Sequence, residues 1–349
     1  MKILFQAPSL NTIYAARTIY YGYKHAFEDM GHAFQVLTAD DNANEVIATF
    51  KPDILFTSMS KYYMKYLDPE IIKKYKKQMK VFVSIGFWNS PLSRIRVNET
   101  PSISQNKKFI DLIKAGNYGD IYYNVCEQGD QRMNGFQKST GNHPYTVLLA
   151  ADKTIHYFDY DKKYKADISF VGTNLPDKAN FLRQQVFPLK KKYDLRLYGQ
   201  DWSNSDKLLG FAQRVGQYFN IPYIKSLQKP KLNLEDERKI YSSSTISLNI
   251  HENYQRKFGG DCNERTFKIP LCGGFEITDD VACIRKYFVG GKEIIIAKNK
   301  NDWFDKIDYY IKNPKMRLSI IEAGKKRVLK DHTYHNRVNQ LIEIYNGIN

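Results

Sequence analysis

Residues 249–278 read NIHENYQRKFGGDCNERTFKIPLCGGFEIT, a stretch whose residue types suit an anionic, hydroxyl-bearing ligand. Arg256, Lys257 and Arg265 supply positive charge, while Asn263 and Glu264 offer an amide and a carboxylate to hydroxyl groups. Glycine pairs at 259–260 and 273–274 allow backbone N–H groups to approach phosphate oxygens. A helix beginning near Glu264 would add favourable partial charge. The same residues would also serve a solvated loop that caps an ordinary βα unit.

A second stretch with chemistry in it is Gly86-Phe-Trp-Asn-Ser-Pro-Leu-Ser-Arg94, which places an aromatic platform (Trp88), an amide (Asn89) and a cation (Arg94) close together. The alternative is that Phe87 and Trp88 pack beneath a long loop. Asp159-Tyr-Asp161 has the D-x-D spacing used by some metal-dependent sugar transferases. It lies in a polar, lysine-rich stretch, so it reads as two solvated acids, and no metal site is expected. The four cysteines, Cys126, Cys262, Cys272 and Cys283, lack C-x-x-C spacing and suggest neither zinc nor disulfides. His25 and His32, on or just after the first helix, read as surface or core residues.

These residues need elements to hold them. Apolar runs at 2–6, 33–38, 52–57, 80–85, 120–126 and 145–149 read as strands, with helical periodicity at 18–30 and 69–78. A polar stretch at 152–165 reads as a linker. A second series follows, with strands at 166–172, 194–199, 245–249 and 293–297 and helices at 178–190, 235–242, 303–313 and 316–346. Near-continuous apolar strands alternating with helices imply parallel sheets covered on both faces. The reading is therefore α/β: two Rossmann-like domains facing each other across a cleft. Residues 1–152 and 153–349 form the two domains, with a final helix able to return to the first. Ligands of such sheets sit beyond the carboxyl ends of the strands, which puts Ser9, Asn11, Trp88, Asn89 and Arg94 around one crevice.

Composition sets bounds. The 349 residues exceed one typical core, and 42% apolar with 26% charged residues fits a folded protein. A formal net charge of +16 points to an anionic partner: nucleotide phosphate, nucleic acid, an anionic membrane surface or an acidic polymer. The 14% aromatic content suits stacking on sugars or bases. The N-terminal apolar run is short for a signal peptide, and no stretch approaches the roughly 20 apolar residues of a spanning helix. The expected location is cytoplasmic, with any membrane contact peripheral at the inner face.

From about residue 150 to 344 the chain resembles the CgeB-like branch of the GT-B glycosyltransferases (glycosyl transferases group 1). The resemblance rests on Leu149-Ala-Ala-Asp152, Asp167-Ile-Ser-Phe-Val-Gly172, Leu195-Arg-Leu-Tyr-Gly199 with Trp202, Asn263-Glu-Arg-Thr-Phe267, Cys272-Gly-Gly-Phe275 and His332-Thr-Tyr…Arg337. It implies a nucleotide-sugar donor (UDP-, GDP- or TDP-sugar) bound mainly by the C-terminal domain, with no further cofactor. Gly172 and Thr173 would lie near the diphosphate, and Tyr198, Gly199, Asn249, Gly273 and Gly274 would also line the donor site. Lys178 falls at the lysine of an Arg-x4-Lys phosphate clamp whose arginine position is Thr173 here; Arg256, Lys257 or Arg265 would supply that charge. Many relatives carry a ribose-binding Glu four residues before the Cys-Gly pair, where this chain has Lys268. Glu264 would take the ribose contact, or Lys268 would bind phosphate.

Such a resemblance implies glycosyl transfer to a hydroxyl acceptor on a surface glycan, glycolipid or protein. Cations and backbone dipoles, here Arg265 and Lys268 among them, would stabilise the departing diphosphate without metal. Retention and inversion both stay open; an inverting enzyme needs a base, for which Glu127 is the first candidate and Asp130 and Glu99 follow. Two other readings are glycosylation of modified DNA bases, which the net charge favours, and a non-catalytic GT-B binding or assembly module.

Overall fold

Strand β1 (Lys2–Gln6) spans the residues its apolar run predicts, and it anchors the first of two sheets in the computed structural model. That model describes residues 1–10, 15–89, 103–219, 221–227 and 232–347. Backbone contacts divide the chain into two units. Unit 1 comprises Met1–Thr154, Lys257–Glu264 and His332–Asn349; unit 2 comprises Ile155–Arg256 and Arg265–Asp331.

In unit 1, β1 is joined by β2 (Ala33–Leu37), β3 (Ile54–Ser58), β4 (Lys80–Ser84), β5 (Ile121–Asn124) and β6 (Pro144–Thr146). The order is β2-β1-β3-β4-β5-β6, and every pairing is parallel. Alternation along the strands splits the core in two. Leu4, Leu55, Val81 and Val83 face one layer with Trp88 and Phe136, while Ile3, Phe5, Ile54, Phe56 and Phe82 face the other with Tyr23 and Phe27. Both faces are therefore dry, as a parallel sheet requires.

The last helix, Tyr334–Asn346, packs on this second layer through Tyr334, Val338 and Leu341. Thr333 closes its first turn in a capping box with Asn336. The long helical region expected at 316–346 consists of two helices, Pro314–Asp331 and Tyr334–Asn346, the second begun by that cap. Gly22 lets the helix Ala15–Asp29 approach Tyr334: a Cβ there would stand 2.1 Å from the Tyr334 ring.

Unit 2 contains β7 (Ala166–Val171), β8 (Leu195–Tyr198), β9 (Ser244–Asn249), β10 (Glu276–Asp279) and β11 (Ile295–Ala297), again all parallel, in the order β11-β10-β9-β7-β8. Ile168, Phe170, Ile246, Leu248 and Ile277 fill the apolar layer. The opposite face carries Ser169, Ser247, Asn249, Glu276 and Thr278, all buried. Strand β10 escapes the sequence reading because its four residues start with Glu276 and end with Asp279, so no apolar run announces it. Helices Ala43–Phe50, Lys61–Tyr66, Lys107–Lys114 and Asn204–Tyr218 are likewise additions to the sequence reading. Among the described residues no helix is long and apolar enough to cross a membrane.

Candidate active site

The order of the second sheet determines where a ligand can enter it. From β7 the chain moves outward to β8, then returns to place β9 on the other side of β7. Loops leaving β7 and β9 diverge, opening a crevice at their carboxyl ends. Arg265, first residue of the helix Arg265–Leu271, lays its guanidinium across those two ends. Its Nη1 donates to the Val171 carbonyl at 2.9 Å, Nη2 to the Ile250 carbonyl at 2.8 Å and Nε to Asn249 Oδ1 at 3.1 Å. The Phe170 ring lies beneath, its centroid 5.5 Å from the guanidinium carbon.

Glycines make this approach possible. A Cβ on Gly172 would sit 2.9 Å from Arg265 Nη1, and one on Gly199 would sit 2.5 Å from the Gly172 carbonyl oxygen. Gly199 also has φ of +112°, a conformation L side chains rarely adopt. Trp202 Nε1 donates to the Gly172 carbonyl at 2.7 Å, fixing the loop after β7.

Three cations converge on three consecutive residues that follow β9. Arg265 bonds the Ile250 carbonyl, Arg256 Nη1 bonds the His251 carbonyl at 2.7 Å, and Lys178 Nζ pairs with Glu252 at 2.5 Å. Lys178 is buried with only 6% of its surface exposed. Arg256 also reaches Asp279 Oδ2 at 2.9 Å. Fixed cations at the carboxyl ends of the strands are the feature of this cluster that an incoming anion would meet.

Beneath the cations runs a buried polar chain, of which the sequence reading named Asn249 and missed His251, Thr266, Glu276 and Asp279. His251, fully buried, places Nδ1 2.6 Å from Asp279 Oδ1 and Nε2 3.3 Å from Thr266 Oγ1. Asn249 donates to Thr266 Oγ1 at 3.0 Å and to Glu276 Oε1 at 2.8 Å while accepting from Arg265. Burial pushes the Asp279 carboxyl up, but His251 and Arg256 outweigh this and hold it at about 2. Glu276 lacks such partners. Burial raises its carboxyl to about 8 against the weaker opposing pull of Asn249 and Arg265, so it is protonated at neutral pH. Its Oε2 has no hydrogen-bond partner among the described residues. The available signal was positional: Asn249, His251 and Asp279 all lie at the carboxyl ends of strands.

Other expected donor residues are engaged elsewhere. Lys268 is 3% exposed and lies 3.3 Å from Glu237 Oε1, which also accepts from the Tyr241 hydroxyl. Its ammonium therefore neutralises a buried carboxylate inside the unit. The N–H groups of Gly273 and Gly274 donate to Pro270 and Ile269 carbonyls, closing a helix end, and so are turned away from any phosphate. Thr173 and Tyr198 flank Gly172 and Gly199; the Tyr198 carbonyl accepts from Gly172 N at 2.9 Å. Asp159 pairs with Arg238, and Asp161 caps the turn at Lys163.

Lys257, Asn263 and Glu264 belong to the segment that clusters with unit 1. A buried ion network anchors that segment. Arg132 donates to Asp130 through Nε and Nη2, at 2.8 and 2.5 Å, and meets Asp261 at 2.6 Å, with the Phe87 and Phe258 rings against its guanidinium. Asp130, one of the candidate bases, is thus committed to Arg132. Glu127 is half-buried, its N–H donates to the Gly260 carbonyl at 2.7 Å, and it lines a cavity of about 310 Å³ with Gln128, Asn134, Gln137, His143 and Thr146. This cavity opens beyond the carboxyl ends of β5 and β6.

Trp88 is 1% exposed and meets Phe136 edge-on at 5.0 Å, so it is a core ring and presents no stacking platform. Asn89 uses its side-chain amide to hold the Gln131 and Asn134 carbonyls. Ser9 is exposed just past β1. Asn11, Arg94 and Glu99 lie outside the described residues.

With this geometry in view, residues 178–343 match a family model described as glycosyl transferase-like. Over 182 residues the chain is 21% identical to spore protein CgeB of Bacillus subtilis (strain 168); the match covers 50% of this chain and 52% of CgeB, so the chain spans about half the length of that curated relative. It is similar over 98% of both chains to an alpha-glucosyltransferase solved with UDP-glucose and DNA containing an abasic site, with a TM-score of 0.66 and 12% identity. It is similar over 99% of its length, and all of the other's, to the Anabaena protein HepE solved with UDP and glucose, with a TM-score of 0.59 and 10% identity. At these identities the structural likeness is one of fold, the GT-B fold.

Proposed function

We propose, for a chain that is a GT-B glycosyl transferase-like protein, that it moves a glycosyl unit from a nucleoside-diphosphate sugar to a hydroxyl acceptor. The observation that carries this reading is the convergence of Arg265, Arg256 and Lys178 at the carboxyl ends of β7 and β9. Breaking the anomeric bond leaves charge on the diphosphate, and fixed cations in a partly desolvated crevice stabilise that charge more than they stabilise the intact donor. Arg265 is held by three protein acceptors, so little reorganisation is needed as charge develops. His251, Asp279 and Asn249 act by keeping the cations in place.

On this reading the cations replace a metal ion, and donor turnover survives EDTA; complete loss restored by Mg²⁺ or Mn²⁺ would refute that part. UDP is the first donor nucleotide to try, because two of the structural relatives were solved with it. For the acceptor, the cavity beside Glu127 offers the side-chain amides of Gln128, Asn134 and Gln137 to hydroxyl groups, among charged and apolar neighbours such as Lys138 and Phe136. Glu127 would serve as base if the reaction inverts the anomeric centre. Assaying donor hydrolysis against UDP-, GDP-, TDP- and CMP-sugars tests the proposal, and failure to turn over or bind any of them would count against it.

A second reading, transfer to a modified DNA base, is favoured by the net charge of +16 and by structural relatives solved with DNA. It requires transfer to duplex DNA carrying a hydroxylated base, with an affinity that falls steeply with salt.

A further inference from the structure

Unit 2 holds a cavity of about 660 Å³ at the β11 edge of its sheet, and none of the residues lining it belongs to the donor cluster. Five of the thirteen lining residues are cationic, Arg285, Lys286, Lys298, Lys306 and Arg327, and none is Asp or Glu. Several elements bring these cations together. Arg285 and Lys286 lie in the short helix Ile284–Tyr287, Lys298 just past β11, Lys306 in the helix Lys300–Lys312 and Arg327 in Pro314–Asp331. The carboxylates that pair with them stand outside the lining. Lys306 Nζ donates to the Ile296 carbonyl at 2.8 Å and to Asp302 Oδ2 at 2.6 Å. Burial pushes the Asp302 carboxyl up, but Lys306 together with Lys298 and its backbone N–H holds it below its ordinary value. Glu293 and Asp331 hold Arg327 at 3.0 and 2.8 Å. Asp280 pairs with Arg285 where the two side chains are 36% and 46% exposed, so water competes with the pair and it contributes little. The rest of the lining is glycine, aromatic or aliphatic, with Val289, Ile295, Ile296 and Tyr310 among it.

We propose that this cavity is a second anion site, taking an organic phosphate of about the size of a sugar phosphate. A pocket between roughly 300 and 1,000 Å³ accommodates a small metabolite. Lys306 and Arg327 are already fixed by their own partners, so a phosphate meets them with little reorganisation. Arginine forks match phosphate oxygens in pairs, and lysine adds compact charge. The apolar part of the lining covers the carbon skeleton of an ester, which a bare inorganic ion lacks. The inference is independent of the donor assignment, since the two sites share no residue.

The test is calorimetric titration of the full chain with ribose 5-phosphate, with inorganic phosphate and ribose as controls, in the absence and presence of excess UDP. Ribose 5-phosphate should bind several-fold more tightly than inorganic phosphate, ribose should not bind, and UDP should leave the affinity unchanged. A variant carrying Arg285→Ala and Lys298→Ala should bind at least about tenfold more weakly. Its melting temperature should match the wild type, because both side chains are exposed. Lys298→Glu alone gives a second readout and should abolish binding by reversing one charge at the surface. Four results would each overturn the proposal: no binding of ribose 5-phosphate by the wild type, equal affinity for inorganic phosphate, competition by UDP, or full-strength binding by either variant.

Discussion

Replacing Glu276 with glutamine should make the protein more stable at neutral pH, by an amount that grows as pH rises. In the unfolded chain this carboxyl ionises near its ordinary 4.5, whereas in the folded chain burial keeps it protonated until about 8. Between those values the unfolded state binds fewer protons than the folded one, so the unfolding free energy falls as pH rises. The stabilisation linked to this proton is complete below about 4.5 and is lost progressively up to about 8. At 1.36 kcal/mol per pH unit, the loss amounts to roughly 4–5 kcal/mol across the window. Glutamine is a neutral isostere that can still accept from Asn249 Nδ2, so the variant escapes the loss. Urea unfolding of both proteins at pH 5, 6.5 and 8 would measure the effect, since other titrating groups cancel in the difference. The gap should widen by about 2 kcal/mol at each step until it levels near pH 8. A gap that is flat in pH, or a variant less stable at pH 8, would show that Glu276 is not held protonated in the fold.

The opposite sign applies to Asp279, whose carboxyl is held at about 2 by His251 and Arg256. Its stabilisation is present above about 3.8 and disappears as pH falls towards 2; Asp279→Asn should cost on the order of 3 kcal/mol at pH 7 and flatten acid unfolding in that range, as thermal melts would show. Gly199→Ala places a Cβ 2.5 Å from a backbone oxygen at a φ of +112°, and should lower Tm by several degrees while weakening donor use. Unchanged melting and donor KM would mean that the loops after β7 and β8 do not depend on that close approach.

Much of the frame was legible in the residues. The apolar run Ile3-Leu-Phe5 within Lys2–Gln6 announces a buried strand, because a parallel sheet covered on both faces needs no polar alternation, and Ser244–Asn249 announces one through Ile246 and Leu248 in alternation. Arg256 and Arg265 were legible as cations following a strand-like run, and Lys178 through the family resemblance. What could not be read was which polar residues the fold would bury against one another. Glu237 lies 31 positions before Lys268, and only packing of their helices makes Lys268 a buried counter-ion. His251 meets Asp279 because β10 pairs with β9, and β10 has too few apolar residues to be seen. Trp88 looked available beside Asn89, yet its ring completes the layer around Phe136. Membership of the Lys257–Glu264 segment in unit 1 depends on Arg132 and Asp261, 129 positions apart, a pairing no local pattern encodes.

The central claim is that Arg265, with Lys178, holds the diphosphate of a nucleotide-sugar donor. Calorimetric titration of UDP, GDP and TDP into the wild type, Arg265→Ala and Lys178→Met tests it most directly, with thermal melts run alongside. Loss of a charge-assisted hydrogen bond costs roughly 1.5–3 kcal/mol, so each variant should bind the preferred nucleotide about ten- to a hundredfold more weakly. Full-strength nucleotide binding by both variants, with only their melting temperatures lowered, would contradict the claim and leave these cations as braces of the sheet.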